Sequence, residues 1–262
     1  MHIKSIAVVS TALALAGGAA CAQVMPFREV TPQKTWTVDV GAGVLYSGRR
    51  ASGRDAKARV APWLAVNYKD RFFADPFNGV GANLIKGDAI RVGVQVEPQF
   101  SAGRPTIAPN LDRPGFGANA GGYAYARLPG NFVFGGQVGH DVTGQSDGLT
   151  YQVTLAQQSR TPIGLLATQA YVRGADAKRM RAYYGVTPAE GAANSLPAYT
   201  PGGGLQGAGV LAFMLTPIGK NLGAGVMANY ERIIGDAADS PIIRKRNDFR
   251  VAFLVAKRFS WS

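Results

Sequence analysis

From residue 35 onward the chain alternates. Trp36, Val38, Val40, Ala42, Val44 and Tyr46 are apolar, while Thr35, Thr37, Asp39, Gly41 and Gly43 between them are polar or small. A period of two places each set on one face of a β-strand. The pattern returns with Ile90, Val92, Val94 and Val96 against Arg91, Gly93, Gln95 and Glu97. It recurs with Phe132, Phe134, Gly136 and Val138 against Asn131, Val133, Gly135 and Gln137, and with Leu149, Tyr151, Val153 and Leu155 against Thr150, Gln152, Thr154 and Ala156. Leu222, Ala224, Val226, Ala228 and Tyr230 form another such face, and so do Phe249, Val251, Phe253, Val255 and Phe259. Segment spacing predicts about twelve strands, with ten to twelve compatible with the pattern. They fall near residues 35–46, 58–69, 71–85, 88–100, 115–128, 131–141, 148–158, 162–174, 177–185, 205–216, 221–234 and 247–259, and Pro76 and Gly79 interrupt the third. Pro129-Gly130-Asn131 and Pro217-Ile218-Gly219-Lys220 read as tight turns. Residues 47–57, 101–114, 186–204 and 235–246 read as longer loops.

Two architectures alternate in this way: a soluble antiparallel sandwich and a transmembrane antiparallel β-barrel. Many of these strands exceed the usual five or six residues of soluble sheets. Their second face is rich in Gly, Asn, Gln and Thr, which suits a wet or tightly filled barrel interior better than a sandwich core. Aromatic residues at both ends of the first apolar face match the belts that barrels carry at the two membrane interfaces. The pattern therefore predicts an all-β transmembrane barrel. The mean hydropathy is near zero, as it must be when only alternate residues meet lipid.

The first segment sets the compartment. Lys4 is followed by an apolar run over residues 6–15 and then by Ala20-Cys21-Ala22. This is a basic start, an apolar centre and a small-x-small cleavage site, so residues 1–22 read as a secretory signal with cleavage near Ala22. Gly18 stands where a lipoprotein signal normally has Leu, which favours cleavage over lipidation of Cys21. Residues 23–34 do not alternate and carry Pro26 and Pro32, so they read as a periplasmic N-terminal extension before a barrel over 35–262. The formal charge is +12. In an exported protein this points to lipopolysaccharide phosphates or other envelope anions, and not to nucleic acid. Arg59, Arg91, Arg250 and Arg258 fall on inward-facing positions and are candidate lumen-lining cations.

Catalytic chemistry is sparse. The only histidines are His2 and His140, and the one cysteine lies in the signal. One histidine without cysteine does not make an ordinary zinc site. His140 has no serine placed for a nucleophile–base pair, because the second residue after it is Val142. No cofactor motif is present. The reading is a non-enzymatic protein with no catalytic, cofactor or metal residues.

Two C-terminal blocks carry a family resemblance. Ala182-Tyr183-Tyr184-Gly185-Val186-Thr187-Pro188-Ala189 resembles a hallmark of the MipA/OmpV family of outer-membrane proteins. Ile234-Gly235-Asp236-Ala237-Ala238-Asp239-Ser240-Pro241, after Tyr230-Glu231-Arg232, is similar to a second hallmark of that family. Tyr183, Tyr184, Gly185, Val186, Gly235, Asp236, Asp239, Ser240 and Pro241 are the motif residues, with a structural or partner-docking role. The expectation from the residues is that Gly185 and Gly235 allow positive φ. Asp236 and Asp239 are expected to accept N–H groups within a turn. Tyr183 and Tyr184 are expected on opposite faces of a strand, one of them in an aromatic belt. The resemblance implies a cell-envelope scaffold that tethers a lytic transglycosylase to a bifunctional murein synthase in peptidoglycan assembly. The residues alone leave two alternatives: an anion-biased or small-molecule channel, and a surface-exposed antigen or adhesin.

Overall fold

The computed structural model describes residues 35–47, 56–76, 78–99, 105 and 107–262. The signal, residues 23–34 and most of the first long loop lie outside the described residues. Twelve antiparallel strands form one closed barrel, each paired with its neighbour in sequence and β1 with β12. They are β1 (Trp36–Ser47), β2 (Lys57–Tyr68), β3 (Phe72–Asp75), β4 (Gly79–Lys86), β5 (Ile90–Gln99) and β6 (Gly117–Leu128). The second half is β7 (Phe132–Asp141), β8 (Leu149–Thr161), β9 (Gly164–Ala175), β10 (Gly204–Pro217), β11 (Leu222–Ile233) and β12 (Asn247–Trp261). Closure removes the two free edges that an open sheet of this length would expose.

The number twelve conceals two corrections. The segment 71–85, expected as one strand, is two: β3 and β4 turn at Pro76 and Gly79, where Gly79 takes φ +72°. The segment 177–185, expected as a strand, is a helix, α1 (Ala177–Tyr184). Asp176 caps it by accepting the Arg179 N–H at 2.9 Å, which satisfies one of the N-terminal donors that a helix leaves unpaired. Met180 is fully buried on its packed face. Two further short helices lie in segments read as loops. They are α2 (Pro188–Asn194), which starts on a Thr187/Glu190 capping box, and α3 (Gly235–Asp239).

The alternation read from sequence is the alternation of the wall. Val40, Val44, Val94, Phe134, Val226, Phe253 and Val255 are exposed on the outer surface. On the opposite parity Asp39, Arg91, Gln95, Asn119, Thr154, Asn229 and Arg258 are buried. The outer face needs no protein partner in a bilayer, whereas in water it would be a very large exposed apolar patch.

The two ends differ. At the end that carries residue 36 and the C-terminal residues, strands join through short turns. Outside them Trp36, Tyr68, Phe72 and Trp261 make an aromatic belt, with ring centroids 4.6 Å apart for Trp36–Tyr68 and 6.4 Å for Trp36–Trp261. We call this the terminal end. At the opposite, loop end most connections are longer and carry the three α-helices, while a 3-10 turn at Pro129–Asn131 joins β6 to β7 at the terminal end.

Candidate functional site

The interior is divided along its axis. In the terminal half, the inner face carries apolar clusters set among buried polar residues such as Asn67 and Asn83. Trp63, Ala65, Leu254 and Ala256 pack together, as do Tyr123, Tyr125, Val133 and Ala156. Ala167, Phe213 and Leu215 form a third cluster, against Leu165, Leu211 and Met227. Two ion pairs lie beside them. Arg258 forks onto Asp39 with both contacts at 2.5 Å, and Arg91 forks onto Asp70 at 2.7 and 3.2 Å. Planar two-point pairs of this kind are among the strongest polar contacts a protein makes.

The loop half is polar. Arg173 forks onto Glu231, and Glu231 also accepts the Tyr171 hydroxyl at 3.0 Å. Asn229 donates to Tyr171 from the neighbouring position. Elsewhere on the inner face Glu97 accepts from Gln95, Asn119 and Gln137 at 3.3–3.4 Å.

The loop end carries a folded cap built from described parts of the β5–β6, β9–β10 and β11–β12 connections. Helix α1 ties it to the wall: the Arg179 guanidinium donates to Gln99 at 2.6 Å and to Asn119 at 3.2 Å. The same guanidinium lies 4.5 Å from the Tyr183 ring. Beneath α1, Met180 packs on Ala175, Ile233, Ala237 and Ala238, with Tyr184 and Ile243 against them. A second apolar cluster joins Ala108 and Leu111 of one loop, Val186 of the second and Ile242 of the third. Polar contacts cross the same seams. Ser240 Oγ donates to the Tyr184 carbonyl at 2.5 Å. Tyr199 donates to the Asp236 carbonyl at 2.7 Å, and the Gly202 N–H donates to Asp236 Oδ2 at 2.8 Å. Val186 and Tyr199 form an isolated antiparallel bridge. Arg113 donates to the Gly185 carbonyl at 2.7 Å.

The sequence blocks around Tyr183 and Gly235 are thus one structural unit, and a family model matches both. The model described as MltA-interacting protein MipA matches residues 40–259, from within β1 to the end region of β12. The chain belongs to the MipA family. It is an outer-membrane β-barrel protein, crossing the membrane by strands. A search of curated proteins found no significant match. Among solved structures the chain is similar to a bacterial polysaccharide outer membrane secretin, at 13% identity and TM-score 0.42, over 87% of this chain and 100% of that one. It is also similar to the CymD monoaromatic hydrocarbon channel, at 8% identity and TM-score 0.47, over 94% and 98%. The Pseudomonas putida toluene transporter TodX gives 10% identity and TM-score 0.41, over 95% and 97%.

Within this MipA-family chain one motif residue acts as the local reading suggested and several others do not. Gly235 has φ +57°, the left-handed region. Gly185 does not: its φ is −68°. What Gly185 provides is space, since a Cβ there would lie 2.5 Å from the Arg181 carbonyl oxygen. Asp236 caps Gly202 on another loop and not its own turn. Asp239 pairs with Arg246 at 3.0 Å on the surface. Tyr183 and Tyr184 sit on α1 in the cap, and neither reaches an aromatic belt. Pro241 follows α3 in the bend before Ile242 enters the cap core.

The four arginines separate. Arg258 and Arg91 are buried and paired with carboxylates. Arg250 lies inside near the cap and pairs with Asp248 at 2.6 Å. Arg59 stands exposed at the loop-end rim of β2. The structure does not bring them together into one cationic ring. Sequence reading missed Arg173 and Glu231, the strongest polar contact of the loop half. Both fall on the inward parity of their strands, so the signal existed. The register that makes them neighbours across β10 was not legible.

His140 is on the outer, exposed parity of β7. The adjacent Asp141 points inward and organises the β7–β8 loop. Its carboxylate accepts the Thr143 and Ser146 N–H groups at 2.8 and 2.5 Å, and both their hydroxyls. The His140 and Asp141 side chains therefore lie on opposite faces of the wall. Among the described residues no group of His, Cys, Asp and Glu is arranged to hold a metal ion.

Proposed function

We propose that this outer-membrane barrel acts as a non-conducting scaffold of the MipA type. The observation that carries the reading is the pairing of apolar clusters on the inner face, at Trp63, Tyr123, Tyr125, Phe213 and Leu215, with a folded cap on the loop end. A conducting barrel needs an aqueous path lined by polar groups. Here three of the four candidate lumen cations are offset by carboxylates, which removes the anion bias that a channel reading would rest on.

The family description names an MltA-interacting protein. The partners that fit are a lytic transglycosylase and, by family resemblance, a bifunctional murein synthase. An even strand number puts both chain ends on one side, and short turns characterise the periplasmic side of such barrels. The terminal end is then the side that meets murein enzymes. The mechanism is colocalisation: two enzymes held on one membrane-anchored platform meet at an effective concentration set by geometry. Affinity capture from a solubilised envelope, with the tagged mature protein as bait, is expected to recover both enzymes. Recovery of neither, under conditions that retain a known envelope complex, would sink the scaffold. Steady current in planar bilayers would instead favour the channel.

A further inference from the structure

The scaffold reading turns the terminal end toward its partners, and the charge of that end has one dominant sign. Each of the five hairpin turns there carries a basic residue. Lys69 and Arg71 lie between β2 and β3, Lys86 at the end of β4, Arg127 before the β6–β7 turn, Arg160 before the β8–β9 turn and Lys220 between β10 and β11. All six are exposed. Of the carboxylate side chains at this end among the described residues, Asp39 is taken by Arg258 and Asp70 by Arg91, which leaves Asp88. Residues 23–34 do not reverse the balance wherever they lie, because they hold Arg28 and Lys34 against Glu29.

Register sets these cations over the mouth of the barrel and not among lipids. Residues opposite one another in a β-ladder share a face of the sheet. Lys86 stands opposite Arg91, which is 8% exposed on the inner face. Arg127 stands opposite Val133 of one interior cluster, and Arg160 opposite Leu165, which packs on another. All three therefore have inward parity. Their neighbours Ile85 and Leu128 face outward and are exposed. The Lys86 ammonium donates to the Lys69 carbonyl at 2.8 Å, so it lies along the rim at the β2–β3 turn. Neighbouring strands are about 4.8 Å apart, so successive terminal turns are separated by roughly 10 Å along the rim. A single small anion does not bridge that gap. An extended chain rises about 3.3 Å per residue and covers it in about three residues.

We propose that this cationic mouth docks an acidic peptide segment of a periplasmic partner, held extended, with carboxylates at about every third residue meeting successive turns. The proposal rests on the scaffold reading for the side that faces the periplasm. Inward parity disfavours a lipid headgroup, and the spacing disfavours a free phosphate or carboxylate ion. Exposed ion pairs are individually weak. Along one chain they add, because each contact raises the local concentration of the next carboxylate. Binding built this way is screened strongly by salt.

The test places the full mature protein in phosphatidylcholine nanodiscs, which leave both ends open to solution. The probe is a fluorescent Ser/Gly peptide with Glu at about every third position, followed by anisotropy. At low salt it is expected to bind at least about tenfold more tightly than the same peptide with Gln, and to be released as salt rises. R127Q/R160Q and, separately, R71Q/K220Q are expected to weaken binding several-fold, and R127K/R160K to keep it. K178Q/R244Q, at the loop end, is expected to leave it unchanged. Heat-modifiable gel migration verifies that each variant is folded. Equal binding of the Glu and Gln peptides would overturn the site, and so would a loss in K178Q/R244Q as large as in the mouth variants. Stronger displacement of the probe by soluble murein fragments than by unlabelled peptide would overturn the assignment to a polypeptide. Loss of binding on adding phosphatidylglycerol to the nanodiscs, with none on adding more phosphatidylcholine, would give the mouth to lipid instead. No murein enzyme enters this assay, so its failure and the failure of affinity capture are separate results.

Discussion

Asp39 and Arg258 are 219 residues apart in the chain and 2.5 Å apart across the β1–β12 seam. Side-chain exposures of 2% and 8% leave neither charge much water. Removing one partner therefore strands the other. Asp39→Asn is expected to destabilise the barrel by about 3 kcal/mol, read from urea unfolding in lipid vesicles. The double variant Asp39→Asn with Arg258→Met is expected to recover much of the loss, because no unpaired charge remains. A double variant no more stable than Asp39→Asn alone would show that the pair is not the source of the loss. In the cap, Glu190 gives a pH prediction. Partial burial raises its pKa, but this is outweighed by N–H groups of Thr187 and Asp112, the Thr187 hydroxyl and the Arg113 charge, so the net shift is downward. A carboxyl with a depressed folded pKa stabilises above its unfolded value, and that contribution is lost as pH falls through the folded one. Hydrogen-exchange protection factors in residues 107–114 and 187–194, corrected for the intrinsic effect of pH, should be flat above the ordinary carboxylate range and fall below it, with Glu190→Gln abolishing the step.

At the scale of elements, α1 shows how a short segment can be misread. Residues 177–185 contain Met180, Tyr183 and Tyr184, which suit a strand by type. The Asp176 cap and the apolar surface offered by Ala175, Ile233 and Ala237 make the helix the better solution here. The β3–β4 split had a visible cause in Pro76 and Gly79, the interruption noted on sequence grounds. The cap itself depends on contacts between loops far apart in sequence, so its weak points are specific. Gly235→Ala forces a left-handed conformation and places a Cβ 2.6 Å from the Leu205 carbonyl oxygen. It is expected to cost about 1–2 kcal/mol in cap stability. Asp236→Ala leaves the Gly202 N–H without its acceptor. Both variants should speed proteolysis within residues 195–203 while gel migration of the folded barrel stays unchanged. Cleavage as slow as in the unsubstituted protein would mean that these contacts do not hold the cap.

For the whole molecule, the proposed scaffold makes cap and terminal-half packing two barriers in series. Deleting α1 and α2 is therefore expected to leave bilayer conductance at baseline. Adding Trp63→Ala, Tyr125→Ala and Phe213→Ala to that deletion is expected to open a measurable current. Current from the deletion alone would place the only barrier in the cap. The outer wall is indifferent to these changes, since its parity is opposite to theirs.

The sequence by itself determined the wall. A period of two, repeated over most of the chain, assigns each strand residue to lipid or interior before any pairing is known, because one residue of slip would exchange the two faces. It also carried the family, through residues clustered in two short blocks. Tertiary structure decided which inward charges meet, since Arg258 with Asp39 and Arg173 with Glu231 depend on closure and register. It likewise decided that the two blocks form one cap: Ser240 reaches Tyr184, and Asp236 reaches Gly202, across gaps of 56 and 34 residues. Loops have no period to read, and their structure comes from the partners they find.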